Sequence, residues 1–208
     1  MDGVFMKKCF RRIVICALTA SAVWSCFLLR DRQKLRQEIN RFHVVASSDR
    51  EEDQAVKLKV RDAVLESIQS DIQKVRDVSE AKEYLKQNLP KLRNLVSQTL
   101  AELNYFGDSA VTLCEEAFPV RHYDTFSLPA GVYESLRIVI GDGLGKNWWC
   151  VSFPTLCMPA TTGGFQDTAV GAGFSESLAQ TLSGKEQYEI RFYCLNLLGK
   201  LENIFFRQ

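Results

Sequence analysis

Histidine is scarce in this chain of 208 residues, which contains only His43 and His122. The sequence also has no CxxC or HExxH spacing, so the common zinc-binding patterns are missing. We therefore expect no metal site and no cofactor. His43 lies within a short apolar run, where a histidine is more often a satisfied core or edge residue than a ligand.

Sequence motifs for hydrolytic catalysis are missing as well. There is no GxSxG elbow, and the pairs Asp124-Thr125 and Asp167-Thr168 are not followed by the glycine that aspartic proteases use. We predict no catalytic residues and a protein that is not an enzyme. The alternative is an exported Cys- or Ser-dependent hydrolase acting on envelope material, for which Cys150 with His122 is the pairing to test.

Neither sign of charge dominates the chain, whose net charge is +1. Residues 1–30 carry +4, which leaves −3 for the remainder. Nucleic-acid binding requires a basic face that neutralises phosphates. The acidic balance of residues 31–208 therefore argues against a nucleic-acid partner.

The N-terminus combines a basic flank with an uncharged apolar run. Lys7, Lys8, Arg11 and Arg12 precede Ile13–Leu29, IVICALTASAVWSCFLL. Basic residues stay on the cytoplasmic side while such a run enters the bilayer. Its length suits a long signal peptide or a short membrane anchor. We expect it to carry the rest of the chain out of the cytoplasm.

The periodicity of the remaining chain changes from helical to alternating. Helices are predicted first, between residues 51 and 104, opened by a Ser48/Glu51 capping box and kinked or divided at Pro90. Strands follow from Ser109, of which Val132–Ile140 is the clearest. The other predicted elements are a strand at 42–46, a strand at 147–153, a flexible loop at 159–175, a short helix at 175–182, a last strand at 188–194 and a closing helix at 195–206.

This order favours an α+β fold over a doubly wound sheet. We predict a mixed or mostly antiparallel sheet with helices packed on one face, preceded by the hydrophobic signal or anchor helix. The predicted divisions are a signal peptide or membrane anchor at 1–30, a stalk at 31–40 and a single extracytoplasmic domain at 41–208.

Two stretches resemble a known family. They are RFHVVASSDREEDQAVKLKVRDAVLESI at 41–68 and PAGVYESLRIVIGDGLGKNWWCVSFPTLC at 129–157; the terminal YEIRFYCLNLL adds to them. Together they resemble stage II sporulation protein R of endospore-forming bacteria. The resemblance implies export from the forespore into the space between the two sporangial membranes. It also implies activation there of a membrane-embedded aspartic protease of the mother cell, which processes the sigma-E precursor.

The segment NWWCVSFPTLC contains the residues most often used for binding and cross-linking. Trp148 and Trp149 adjoin on an extended segment and should face opposite sides, so either can contact a partner, although both can also be buried. Cys150 and Cys157 can close a disulfide around Pro154 if their Cα atoms approach within about 7 Å. Burial as free thiols is the alternative.

Overall fold

The computed structural model describes residues 2–72, 74–75, 78–123, 126–153, 169–171, 174, 176–183 and 189–206. The helices are α1 (Asp2–Glu38), α2 (Glu51–Ile72), α3 (Val78–Glu102), α4 (Glu176–Leu182) and α5 (Glu189–Phe206). The strands are β1 (Asn40–Val45), β2 (Ser109–Phe118), β3 (Arg121–His122), β4 (Ser127–Leu128), β5 (Gly131–Ile140) and β6 (Asn147–Phe153). Most of the predicted loop at 159–175 and the residues Pro154 and Cys157 lie outside the described residues.

A mixed four-stranded sheet with the order β2-β5-β1-β6 organises the fold, and β3 and β4 form a separate hairpin. β1 pairs parallel with β5 and antiparallel with β6, while β2 pairs antiparallel with β5. All six residues of β1 are buried, since strands flank it on both sides and helices cover much of both faces. The predicted α+β class and mixed sheet are confirmed.

The helices α2 and α3 pack on one face of the sheet, as predicted. Their apolar residues recur at three- and four-residue spacing and meet the alternate side chains of the strands. Each fully buried aliphatic side chain contributes about 1.5–3 kcal/mol relative to exposure. The buried members of this cluster include Val60, Val64, Ile68, Leu85, Leu92, Val96, Phe42, Val44, Leu136 and Ile138.

Two local features of these helices differ from the prediction. α3 runs as one helix through Pro90, so the predicted division is wrong, whereas a kink there stays a prediction. Pro90 and Lys86, whose carbonyl loses its donor, both lie on the exposed side of α3. The Ser48 hydroxyl does not cap with Glu51. It accepts from the Arg50 amide at 3.2 Å and donates to the Asp53 carboxylate.

The opposite sheet face is covered at one end by the terminal helices. Leu35 of α1 and Ile39, which follows the helix, are buried there, together with Leu195 of α5 and Phe118 of β2. The last turns of α1 therefore pack into the domain along the segment that the sequence predicted to be a stalk. The divisions at residues 30 and 40 stay a prediction.

The C-terminal segment corrects one strand. Residues 188–194 were predicted to be a strand, but the chain is helical from Glu189. The alternation of Ile190, Phe192 and Cys194 indicates a strand. Phe192 also belongs, however, to a helical stripe with Leu195 and Leu198, which packs inward. The predicted short helix is confirmed as α4.

The first part of α1, from Lys8 to Phe27, is exposed along its length. Among the described residues, the stretch Lys8–Gln37 is long and apolar enough to cross a membrane. Its apolar side chains are largely exposed, including Ile13, Leu18 and Trp24. This pattern fits a signal or anchor helix.

Candidate partner-binding surface

Strand β6 lies at an edge of the sheet and carries both adjacent tryptophans. Trp148 faces Val44 and Trp149 faces His43 across the antiparallel pair with β1. Among the described strands, β6 pairs only with β1, so it lies at an edge of the described sheet. We call Asn147–Trp149, together with Arg61 and His43, the β6 edge surface.

Trp148 lies on the face covered by α2 and α3 and is half-buried. Its ring meets Phe42 edge-on, with the ring centroids 5.7 Å apart. The Arg61 guanidinium lies 5.0 Å from the indole centroid, within the range of a cation–π contact. A half-buried tryptophan beside an arginine has the composition of a binding anchor.

Trp149 lies on the opposite face, which confirms the predicted alternation of the two rings. It stacks on His43 with centroids 3.7 Å apart and meets Phe118 edge-on at 4.8 Å. The Arg121 guanidinium lies 5.2 Å from the ring. The indole Nε1 is buried and has no hydrogen-bond partner within the described part of the chain. These contacts fix one orientation of the ring.

His43 is the satisfied, buried histidine that the sequence predicted. Its Nδ1 lies 3.2 Å from the Glu116 carboxylate and its Nε2 lies 3.0 Å from the Asn147 side-chain oxygen. Oxygen acceptors therefore face both ring nitrogens. The two hydrogen bonds of His43 connect the edge strand β6 with β2, which lies two strands beyond β1. The imidazole ring also stacks on the Trp149 ring.

Glu116 completes this network with a second cation, since the Arg137 Nε lies 3.3 Å from its carboxylate. Burial acts to raise the pKa of Glu116, but the His43 hydrogen bond and the charges of His43 and Arg137 outweigh it and lower the pKa. Glu116 is therefore ionised at neutral pH. The terminal helices leave this end of the sheet face partly open, so that Arg137 is half-exposed.

The pairing proposed for a hydrolase is not assembled. The Cys150 side chain is buried in the cluster beneath α2 and α3, whereas His122 is exposed in the β3–β4 hairpin. His122 instead shares a 2.7 Å hydrogen bond with Ser127, the residue opposite it in the hairpin. No carboxylate in the described ranges contacts His122 to orient it, as a catalytic triad requires.

Cys114 and Cys194 are free thiols. Cys157 lies outside the described residues, so a Cys150–Cys157 bond stays a prediction. Across the described ranges, no group of three His, Cys, Asp or Glu side chains is arranged to hold a metal ion.

Sequence reasoning missed Glu116, Arg137 and Asn147. Each lies on the same sheet face as His43, but on a different strand. Their alternation within each strand was visible, whereas the pairing of the strands, which brings them together, was not.

Similarity to known proteins covers the same region of the chain. A model of the family described as Stage II sporulation protein R matches residues 36–162. The chain belongs to this family. The matched residues contain β1 to β6 and the whole β6 edge surface, whereas most of α1 and all of α5 lie outside them.

A curated relative agrees with this assignment. Stage II sporulation protein R of Bacillus subtilis (strain 168) is 30% identical over 150 residues, which is 72% of this chain. The match spans 64% of the relative's own length. No solved structure matches. Membership of the family supports a role in sporulation.

Proposed function

We propose that this chain is a sporulation signal that is exported from the forespore. In the space between the forespore and mother-cell membranes, it binds the extracytoplasmic side of a membrane-embedded aspartic protease. Binding raises the rate at which that protease processes the sigma-E precursor. The chain acts as a ligand and not as an enzyme. Family membership supports the sporulation role, and the protease is the partner that the sequence resemblance implies.

Delivery depends on α1. Its uncharged run follows four basic residues, which orients the helix with its N-terminus in the cytoplasm. The folded domain then lies on the far side of the membrane, either tethered by α1 or released by cleavage. From there it reaches the extracytoplasmic parts of a protein in the opposite membrane.

The observation that contributes most to the binding proposal is the position of the two tryptophans on an edge strand. An extended segment of the protease can add along Asn147–Trp149 of β6 by backbone hydrogen bonds, while alternate side chains contact Trp148 or Trp149. The contacts of Trp149 hold the surface in one conformation before binding. A surface ordered in advance loses less conformational entropy on association.

Activation requires that the chain bind one state of the protease more tightly than the other. A ligand shifts a two-state equilibrium only by its difference in affinity for the two states. Contacts with an extracytoplasmic loop that is ordered only in the active state would supply such a difference.

Co-expression of the full chain, the protease and the precursor tests the proposal. We expect precursor cleavage with the unmodified chain and little cleavage with Trp148→Ala. Phe106→Ser is the matched control, because Phe106 is a 92% exposed aromatic residue next to β2, the opposite edge strand. Both variants must be exported in equal amounts. Full cleavage with Trp148→Ala would refute β6 as the binding surface, and no cleavage with the unmodified chain would refute the function.

A further inference from the structure

Helix α5 has an apolar face that no described part of the chain covers. Its inward face buries Leu195 and packs Phe192 and Leu198 on the domain. The outward apolar residues recur at three- and four-residue spacing, so they form one stripe along the helix. They are between 47% and 76% exposed and comprise Ile190, Tyr193, Leu197, Leu201, Ile204 and Phe205.

The start of α5 lies where α1 leaves its apolar run. That run ends at Leu29, and the Asp31 carboxylate accepts from Arg191 Nε at 2.9 Å. Arg191 belongs to the first turn of α5. If α1 crosses a bilayer, this contact places the first turn of α5 at the boundary between the hydrocarbon and the headgroups.

Ion pairs between the two helices hold α5 against the same part of α1. Asp31 pairs with Arg191, and the adjacent Arg32 pairs with Glu202. The Arg36 guanidinium also pairs with Glu202, at 3.0 Å. These ion pairs lie in the part of α1 that follows the apolar run, and they keep α5 beside the point where α1 would leave the bilayer.

We infer that α5 is a membrane-surface helix, whose apolar stripe inserts into the interface of the bilayer from which α1 emerges. Lys200 is exposed at the edge of the stripe, and Glu202 faces the arginines of α1 instead of the outside. An apolar helix face of this kind inserts at the boundary between headgroups and acyl chains, and a lysine at its edge is attracted to anionic headgroups. The inference rests on the proposed function in one respect, which is that the domain lies beside a membrane.

Photocrosslinking of the full chain in nanodiscs of phosphatidylcholine and phosphatidylglycerol tests the inference. The photoreactive residue p-benzoylphenylalanine is introduced in place of Leu197 in the stripe, Phe106 at a distance from α5, or Leu18 within α1. We expect lipid adducts at position 197 and only background at position 106. Adding Leu201→Glu should remove most of the adduct at 197, and nanodiscs without phosphatidylglycerol should reduce it.

The position in α1 separates this inference from the anchor of the proposed function. A lipid adduct at 18 with none at 197 overturns the membrane-surface helix and leaves the anchor intact. An adduct at 197 with none at 18 refutes the anchor and supports the surface helix. If position 197 links to a second copy of the chain, or if 106 links to lipid as strongly as 197, the inference is wrong.

Discussion

The ionised Glu116 is the most informative residue to change, because it joins the network beneath Trp149. Glu116→Gln keeps the shape of the side chain but removes the charge that faces His43 and Arg137. Removing one partner of a fully buried ion pair costs about 3–5 kcal/mol of folding stability, whereas an exposed pair contributes at most about 1 kcal/mol. The Glu116 side chain is 13% exposed and Arg137 is 42% exposed, so we expect an intermediate loss of about 2 kcal/mol.

The neighbouring residue provides a matched control. Glu115 lies on the same strand but faces the other way, is 59% exposed and contacts Arg36 at 3.4 Å. Glu115→Gln should cost less than about 0.5 kcal/mol. Thermal unfolding of the full chain in mild detergent, followed by tryptophan fluorescence, measures both variants. A loss of about 2 kcal/mol lowers the melting temperature by roughly 4–8 °C for a domain of this size.

The stability that Glu116 contributes should depend on pH in a definite direction. The pKa of Glu116 is lower in the folded state than in the unfolded state. Its contribution to stability is therefore complete above the unfolded pKa of about 4.3 and is lost as the pH falls through the folded value. The difference between the wild type and Glu116→Gln should shrink below about pH 4. Equal losses for Glu115→Gln and Glu116→Gln, or a difference unchanged at low pH, would refute this reasoning.

Three further predictions concern packing, the disulfide and catalysis. Gly199→Ala places a Cβ against the Ala130 carbonyl and should cost about 1–3 kcal/mol in a thermal melt, whereas Gly171→Ala meets nothing within 4 Å and should be neutral. Thiol alkylation of the exported protein, followed by mass spectrometry, should show two protected thiols that reductant releases; Cys150→Ser or Cys157→Ser should abolish that protection, and full alkylation without reductant would contradict it. His122→Ala should leave precursor cleavage unchanged, and loss of cleavage in an equally stable protein would favour the hydrolase alternative.

The regular elements were predictable where a single period dominates. The stripe of Val60, Val64 and Ile68 indicated a helix, and the alternation of Leu136, Ile138 and Ile140 indicated a strand. The sequence pattern did not distinguish helix from strand at 188–194, because Phe192 fits both the helical and the alternating period. Tertiary packing on β5 decides in favour of the helix, since Gly199 allows α5 to approach the Ala130 backbone.

The candidate surface was predictable only in part. The adjacent tryptophans indicated alternation on a strand, which the structure confirms. That β6 lies at the edge beside β1, and that His43 supports Trp149, depends on strand order. Contacts between residues about 100 positions apart, such as the hydrogen bond between His43 and Asn147, leave no local pattern in a single sequence.

The claim that the chain signals from outside the cytoplasm is tested most directly by preventing its export. Val14→Lys with Leu18→Lys places two charges within the apolar run of α1 but changes no residue of the folded domain. Cleavage of the sigma-E precursor is then compared between this variant and the unmodified chain at equal protein levels. The account predicts cleavage only with the exported chain, and equal cleavage by the trapped variant would contradict it.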